Sequence, residues 1–302
     1  MNAREWLASG GRAPADVTLV GAPISRASIS PSQAWSTPPA LRDALARFPT
    51  WDAEHGQDLS TLRIHDAGDV EGDREDADAR AAHERIEKAV RSLARSTIVV
   101  VIGGDNSLTR PAMRGAMAAR PGAWGLLTLD AHHDCRPPDQ GPRNGTPVRD
   151  LIEAGLPGEC VAQLGIHPLG NAREHAEWAR DHGVRVHPID ELRRSGMRSV
   201  LTMALDELLR QGVEHVYVDI DVDVVDRAFA PACPASLPGG LLPAQLLDAA
   251  HALGSHPHVA AMDITEVDAS ADVTSITVRL AAAALLSFCS GVAGRPRSQE
   301  DE

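Results

Sequence analysis

Asp130, His132 and Asp134 stand at every second position in the run Asp130-Ala-His-His-Asp134, and Asp219, Asp221 and Asp223 repeat that spacing in the segment 219–226. Both segments follow apolar runs, so each is expected at the end of a β-strand, with alternate side chains on one face. Neither acidic set contains Lys or Arg. So many carboxylates in one cleft would raise their own pKa values and cost stability unless a multivalent cation offsets them. A single Asp-x-Asp is a common surface feature, but two such sets behind two apolar strands point to a metal centre. An oxygen-rich set with one imidazole suits Mn²⁺ or Mg²⁺ better than Zn²⁺, and Mn²⁺ is the first choice.

The rest of the chain must position those groups. Its 302 residues and 43% hydrophobic content suffice for one large domain with a buried core. A net charge of −13 disfavours nucleic acid and anionic membrane, which are held by surplus Lys and Arg, and favours a small-molecule partner. No uninterrupted apolar run approaches the roughly 18 residues of a membrane span, and the amino terminus lacks a signal pattern, so a cytoplasmic protein is expected. Four widely spaced cysteines, at 135, 160, 233 and 289, are then expected to be free thiols.

Apolar, β-branched runs at 17–20, 97–102, 126–129, 160–166, 215–218 and 259–264 alternate with helical patterns at 39–47, 78–93, 110–119, 173–182, 199–211, 243–253 and 277–292. Such alternation predicts a three-layer α/β/α domain over 1–294 around a mainly parallel sheet. The Ala-rich last helix reads as a buried layer, too short and interrupted for a membrane anchor. Stretches 25–39 and 136–147 read as long loops that form binding rims, and 295–302 as a disordered polar tail. In open α/β sheets ligands collect beyond the carboxyl ends of the strands. Four such ends carry polar motifs, at 103–107, 130–134, 219–226 and 263–266, and are expected to share one site. His133, facing away by alternation, reads as a packed support. His167 and the pair His256 and His258 read as structural or solvated.

The motifs Gly103-Gly-Asp-Asn-Ser107, Asp130-Ala-His-His-Asp134, Asp221-x-Asp-x-x-Asp226 with Ala230-Pro231 and Pro238-Gly239-Gly240, and Asp263-x-x-Glu266 resemble those of the arginase and agmatinase ureohydrolase superfamily across 21–291. The resemblance implies an arginase-like fold, a homo-oligomer and two Mn²⁺ ions held by Asp130, His132, Asp134, Asp221 and Asp223. It leaves Asp219 as an extra carboxylate where relatives carry a small hydroxyl residue. Relatives also carry a histidine where this chain has Asn106; an amide oxygen is a weaker donor, so one metal position is expected to be loosely held. Asp105 beside it reads as a supporting partner or a turn former.

Gly141-Pro-x-Asn144-Gly-Thr-Pro-x-Arg149 is similar to the formimidoylglutamases, whereas arginases and agmatinases tend to carry histidine at the place of Asn144. This implies an amidine substrate with a glutamate body, N-formimidoyl-L-glutamate, cleaved to L-glutamate and formamide. Two carboxylates on that substrate call for cations at the rim, and Arg143 and Arg149 are the arginines expected to supply them beside Asn144. The resemblance makes Glu266 the acceptor for the amidinium N–H groups and Asp134 the group that passes a proton to the leaving nitrogen. Two alternatives remain at this point: a guanidino-compound hydrolase that releases urea, and a catalytically impaired binding subunit marked by Asn106.

Overall fold

The computed structural model describes residues 1–11, 15–95 and 97–296. Eight parallel strands build the central sheet: β1 (Val17–Ala22), β2 (Ile64–Asp69), β3 (Ile98–Gly103), β4 (Trp124–Leu129), β5 (Val161–Ile166), β6 (Arg185–Pro188), β7 (His215–Asp221) and β8 (Val259–Thr265). Their order across the sheet is β2-β1-β3-β8-β7-β4-β5-β6. The six strands expected from β-branched runs are all inner members, buried on both faces, which is why they read as continuous apolar runs. The two edge strands were not expected. Ile64-His-Asp-Ala-Gly-Asp is polar and half-exposed, and Arg185–Pro188 is short with an exposed first residue, as suits a sheet edge.

Helices cover both faces. Seven match the expected periodic segments within a few residues; the short helices Ala3–Ser9, Pro147–Glu153 and Ile189–Ser195 are additional. Pro147–Glu153 begins where the long loop was expected to end, with Pro147 in its first turn, where a missing N–H costs nothing. The last helix, Ile276–Ala293, corrects the expectation about its length. It lies within a stretch, 273–293, that is long and apolar enough to cross a membrane, but 72% of the apolar window is buried inside the protein. It packs on helix Pro243–Ser255 through Gly254 and Gly291, where any added Cβ would run into a backbone carbonyl of the other helix. Burying Leu285 and Phe288 there contributes about 1.5–3 kcal/mol each.

The expected tail boundary shifts. Arg295 donates from Nε to the Gly254 carbonyl at 2.6 Å and from an Nη to the Val259 carbonyl at 3.2 Å, so the chain is pinned at least that far. Positions 297–302 lie outside the described residues. All four cysteines are free and buried.

Candidate metal centre and active site

The site sits where β3, β4, β7 and β8 end. These are the four inner strands whose following segments carry the polar motifs, and their shared direction places those segments at one edge. Of the two acidic sets, the strand pleat places only Asp219 and Asp221; the other acids lie beyond the strand ends, contrary to expectation. β4 stops at Leu129, and 130–134 is irregular, with Asp134 in the left-handed region at φ 52°. β7 stops at Asp221, and Asp223 sits in the 3-10 turn Val222–Val224, where its N–H donates to Asp221 Oδ1 at 2.8 Å. Glu266, directly after β8, is also left-handed at φ 64°. A non-glycine residue held there is strained, and two of the four such residues among those described fall in this site.

The turns bring the acids together. His132 Nδ1 lies 2.8 Å from Asp223 Oδ2 and 3.6 Å from Asp130 Oδ1, and one ligand atom from each of these three residues lies within 4.8 Å of the others. Asp134, Asp221, Asp223 and His132 line one cavity. Asp130, fully buried, has one carboxylate oxygen without a hydrogen-bond partner. Burial and then Asp223 push Asp130 up to about 7; burial with neighbouring carboxylates raises Asp134 and Asp221. Burial would raise Asp223 as well, but His132 overrules it and holds it low. A buried acid crowd with an orphaned oxygen fits a divalent cation, which replaces the missing donor and cancels the repulsion.

Asp219 lies beneath this floor. It is level with Thr128 on β4 and Asp263 on β8, and Tyr217 donates to Asp263 Oδ2 at 2.7 Å. Burial and then Asp263 raise the Asp219 pKa.

Asn106 is oriented differently from a ligand. Its Nδ2 donates to Asp134 Oδ2 at 2.6 Å, while its Oδ1 accepts from Thr109 Oγ1 at 2.8 Å and Thr265 Oγ1 at 3.1 Å. Asp105 shapes the turn, accepting from the N–H groups of Ala27 and Ser107. Its neighbour Gly104 packs so closely on the backbone at Ile24 that no side chain fits.

Glu266 Oε1 accepts from the backbone N–H of Asn106 at 2.8 Å and from Asn144 Nδ2 at 3.0 Å. Its carboxylate is buried behind Asn144, which lines the cavity and is itself fixed by the Ile29 N–H donating to its Oδ1. Burial and then Asp105 push Glu266 up to about 8.

The two arginines expected to grip substrate do not reach this cavity. Arg149 Nε pairs with Glu153 at 2.7 Å and its guanidinium lies 5.0 Å over the Trp178 ring. Arg143 lines a separate cavity with Arg26 and Arg80. Arg136 takes their place at the mouth, together with Asn171 and His175. The signal for Arg136 was its position two residues beyond Asp134; Asn171 and His175 carried none. His133 is a support as expected, bonded through Nδ1 to Gln163 Oε1 at 2.8 Å, with its backbone N–H on Asn171 Oδ1. His167 bonds the Pro238 carbonyl and His258 the Glu214 carbonyl, both away from the acids.

A family model for arginases, described as the arginase family, matches residues 15–290. The chain belongs to the arginase family. Within it, the chain is 38% identical over 278 residues to formimidoylglutamase of Halalkalibacterium halodurans, covering 90% of this chain and 86% of that one. The crystal structure of formimidoylglutamase from Bacillus subtilis superposes with a TM-score of 0.89 at 32% identity, over 95% of this chain and 90% of that one. Formiminoglutamase of Trypanosoma cruzi, in a structure with Mn²⁺, gives 0.90 at 26% identity, over 98% and 99%. These arginase-family neighbours share the three-layer architecture with its mainly parallel sheet, as expected.

Proposed function

We propose that this arginase-family chain hydrolyses N-formimidoyl-L-glutamate to L-glutamate and formamide, as the names of its formimidoylglutamase relatives suggest. The observation that carries the reading is the polarity of one cavity. Its floor holds His132, Asp134, Asp221 and Asp223, and its mouth holds Arg136, which has no ion-pair partner among the described residues. A substrate with a cationic amidinium head and an anionic tail matches both ends; a guanidino substrate with an amine tail would meet like charge at the mouth.

Asp130, His132, Asp134, Asp221 and Asp223 would hold two Mn²⁺ ions. When bound, the metal supplies a Lewis acid that brings a water's pKa toward neutrality. One position is held less firmly, because Asn106 turns its N–H to Asp134 and its oxygen to two threonines. Glu266 accepts the amidinium N–H groups. Both of its hydrogen bonds fall on Oε1, and a cation against Oε2 would stabilise the charged form that burial disfavours. Asn144 orients the amidine from the cavity wall, held by Glu266 and Ile29. Asp134 passes a proton to the leaving nitrogen, and Arg136 grips a substrate carboxylate. The proposal also takes the chain to act as a homo-oligomer in the cytoplasm, as the family resemblance implies.

Steady-state kinetics of Arg136→Ala and Arg143→Ala test this assignment. Loss of a charge-assisted carboxylate contact worth about 1.5–3 kcal/mol should raise KM for formimidoylglutamate roughly 10- to 100-fold in Arg136→Ala with a smaller change in kcat. Arg143→Ala should stay near wild type. The reverse ranking would overturn it.

A further inference from the structure

His83 stands outside the acidic cavity, on helix Arg80–Leu93, and no step of the reaction uses it. A chain of hydrogen bonds nevertheless joins it to the site. His83 Nε2 lies 2.8 Å from Ser107 Oγ. Ser107 Oγ donates to Asp105 Oδ1, which also accepts the Ser107 backbone N–H at 3.1 Å, while Asp105 Oδ2 accepts the Ala27 N–H at 3.1 Å. A hydroxyl has one proton to give, and Ser107 gives it to the carboxylate. Only its lone pairs then face His83, so the imidazole is the donor, with its proton on Nε2. The other ring nitrogen, Nδ1, is buried without a partner.

Between Asp105 and Ser107 lies Asn106. Its backbone N–H holds Glu266 Oε1 at 2.8 Å, and its side-chain N–H holds Asp134 Oδ2 at 2.6 Å. These are the two acids that act on the substrate in the proposed function. The 3-10 turn that carries Asn106, Asn106–Leu108, is only three residues long and is capped by Asp105. So short a turn has little internal bonding, and its place depends on what grips Asp105 and Ser107. His83, Asp105, Asn106 and Ser107 are all buried, so bulk solvent does not stand in for a lost donor.

We propose that His83 is a positioning residue for the reaction: by donating from Nε2 it aims the Ser107 hydroxyl at Asp105, and so fixes the turn through which Asn106 holds Glu266 and Asp134 in place. His83 itself never touches substrate. The inference rests on the proposed roles of Glu266 and Asp134, and not on which amidine is cleaved. A packing role would be served by any side chain of similar size, whereas this one requires an N–H at the position of Nε2. Gln carries its Nε2 N–H as many bonds from the backbone as His does, and Leu and Met carry none.

The test is steady-state kinetics of the Mn²⁺-loaded full chain, below the Tm of every variant, on whichever amidine or guanidino compound wild type hydrolyses. His83→Leu should lower kcat/KM about 10- to 100-fold, mostly in kcat, as expected for reacting groups displaced by a fraction of an ångström. His83→Gln should recover most of that loss. Combining His83→Leu with Ser107→Ala should do no more harm than Ser107→Ala alone, because both break one chain. His83→Met replaces His83→Leu should the latter fail to fold. A folded His83→Leu or His83→Met with wild-type kcat, a His83→Gln as impaired as either, or losses that add in the double variant would overturn the proposal. A wrong substrate assignment shows itself differently, as wild type preferring another compound, and leaves these comparisons intact.

Discussion

Asn106 donates its side-chain N–H to Asp134 Oδ2 over 2.6 Å, so the amide binds an acid of the proposed metal centre rather than offering a lone pair beside it. The two hydroxyls on Asn106 Oδ1, from Thr109 and Thr265, hold that orientation. The donor that would complete one metal position is turned away by hydrogen bonds from within the protein.

Asn106→His should therefore bind Mn²⁺ more tightly, on the order of 10-fold or more, because imidazole is a better donor and the N–H claim on Asp134 is removed. Equilibrium dialysis with elemental analysis checks this. Equal Mn²⁺ retention in both forms would count against the orientation having any role.

Metal removal should destabilise the fold. Stripping Mn²⁺ with a chelator leaves Asp130, Asp134 and Asp221 buried together without compensation, and Mn²⁺ at about 100 times its Kd should return ~2.7 kcal/mol. Thermal unfolding with and without Mn²⁺ measures the effect. A Tm that ignores Mn²⁺ contradicts a metal bound by these acids.

Acid stability should carry the signature of His83. It is 4% exposed, its Nε2 bonds Ser107 Oγ at 2.8 Å, and burial and then Arg110 lower its pKa to about 4. The folded value is depressed below the ordinary 6.5, so the unfolded chain takes up the proton first. The stability is present above pH ~6.5 and is lost as pH falls toward 4, by at most about 3 kcal/mol. His83→Gln, which keeps a polar group near Ser107, should flatten denaturant-measured stability across that window. An unchanged pH slope would show that His83 does not contribute.

Much of this architecture was legible because buried parallel strands and amphipathic helices leave strong patterns. The inner strands announce themselves as Val- and Ile-rich runs, whereas Ile64–Asp69 and Arg185–Pro188 are half-exposed edges whose residues answer to solvent as much as to the sheet. The acidic motifs indicated which residues meet. They did not reveal how, because Asp134 and Glu266 reach the site through left-handed backbone that alternation cannot foresee. The two arginines expected at the rim lie away from the acidic cavity for a physical reason. Arg149 has an acid four residues on and an aromatic face above it, so its guanidinium is satisfied locally, while Arg136 has no such partner and is left for the cavity.

The substrate assignment is tested most directly by product analysis on Mn²⁺-loaded protein offered N-formimidoyl-L-glutamate and, separately, agmatine and guanidinobutyrate, with formamide, glutamate and urea quantified independently. The account expects formamide and glutamate in equal amounts from the first and little urea from the others. Urea from a guanidino compound with no formamide from formimidoylglutamate would contradict it.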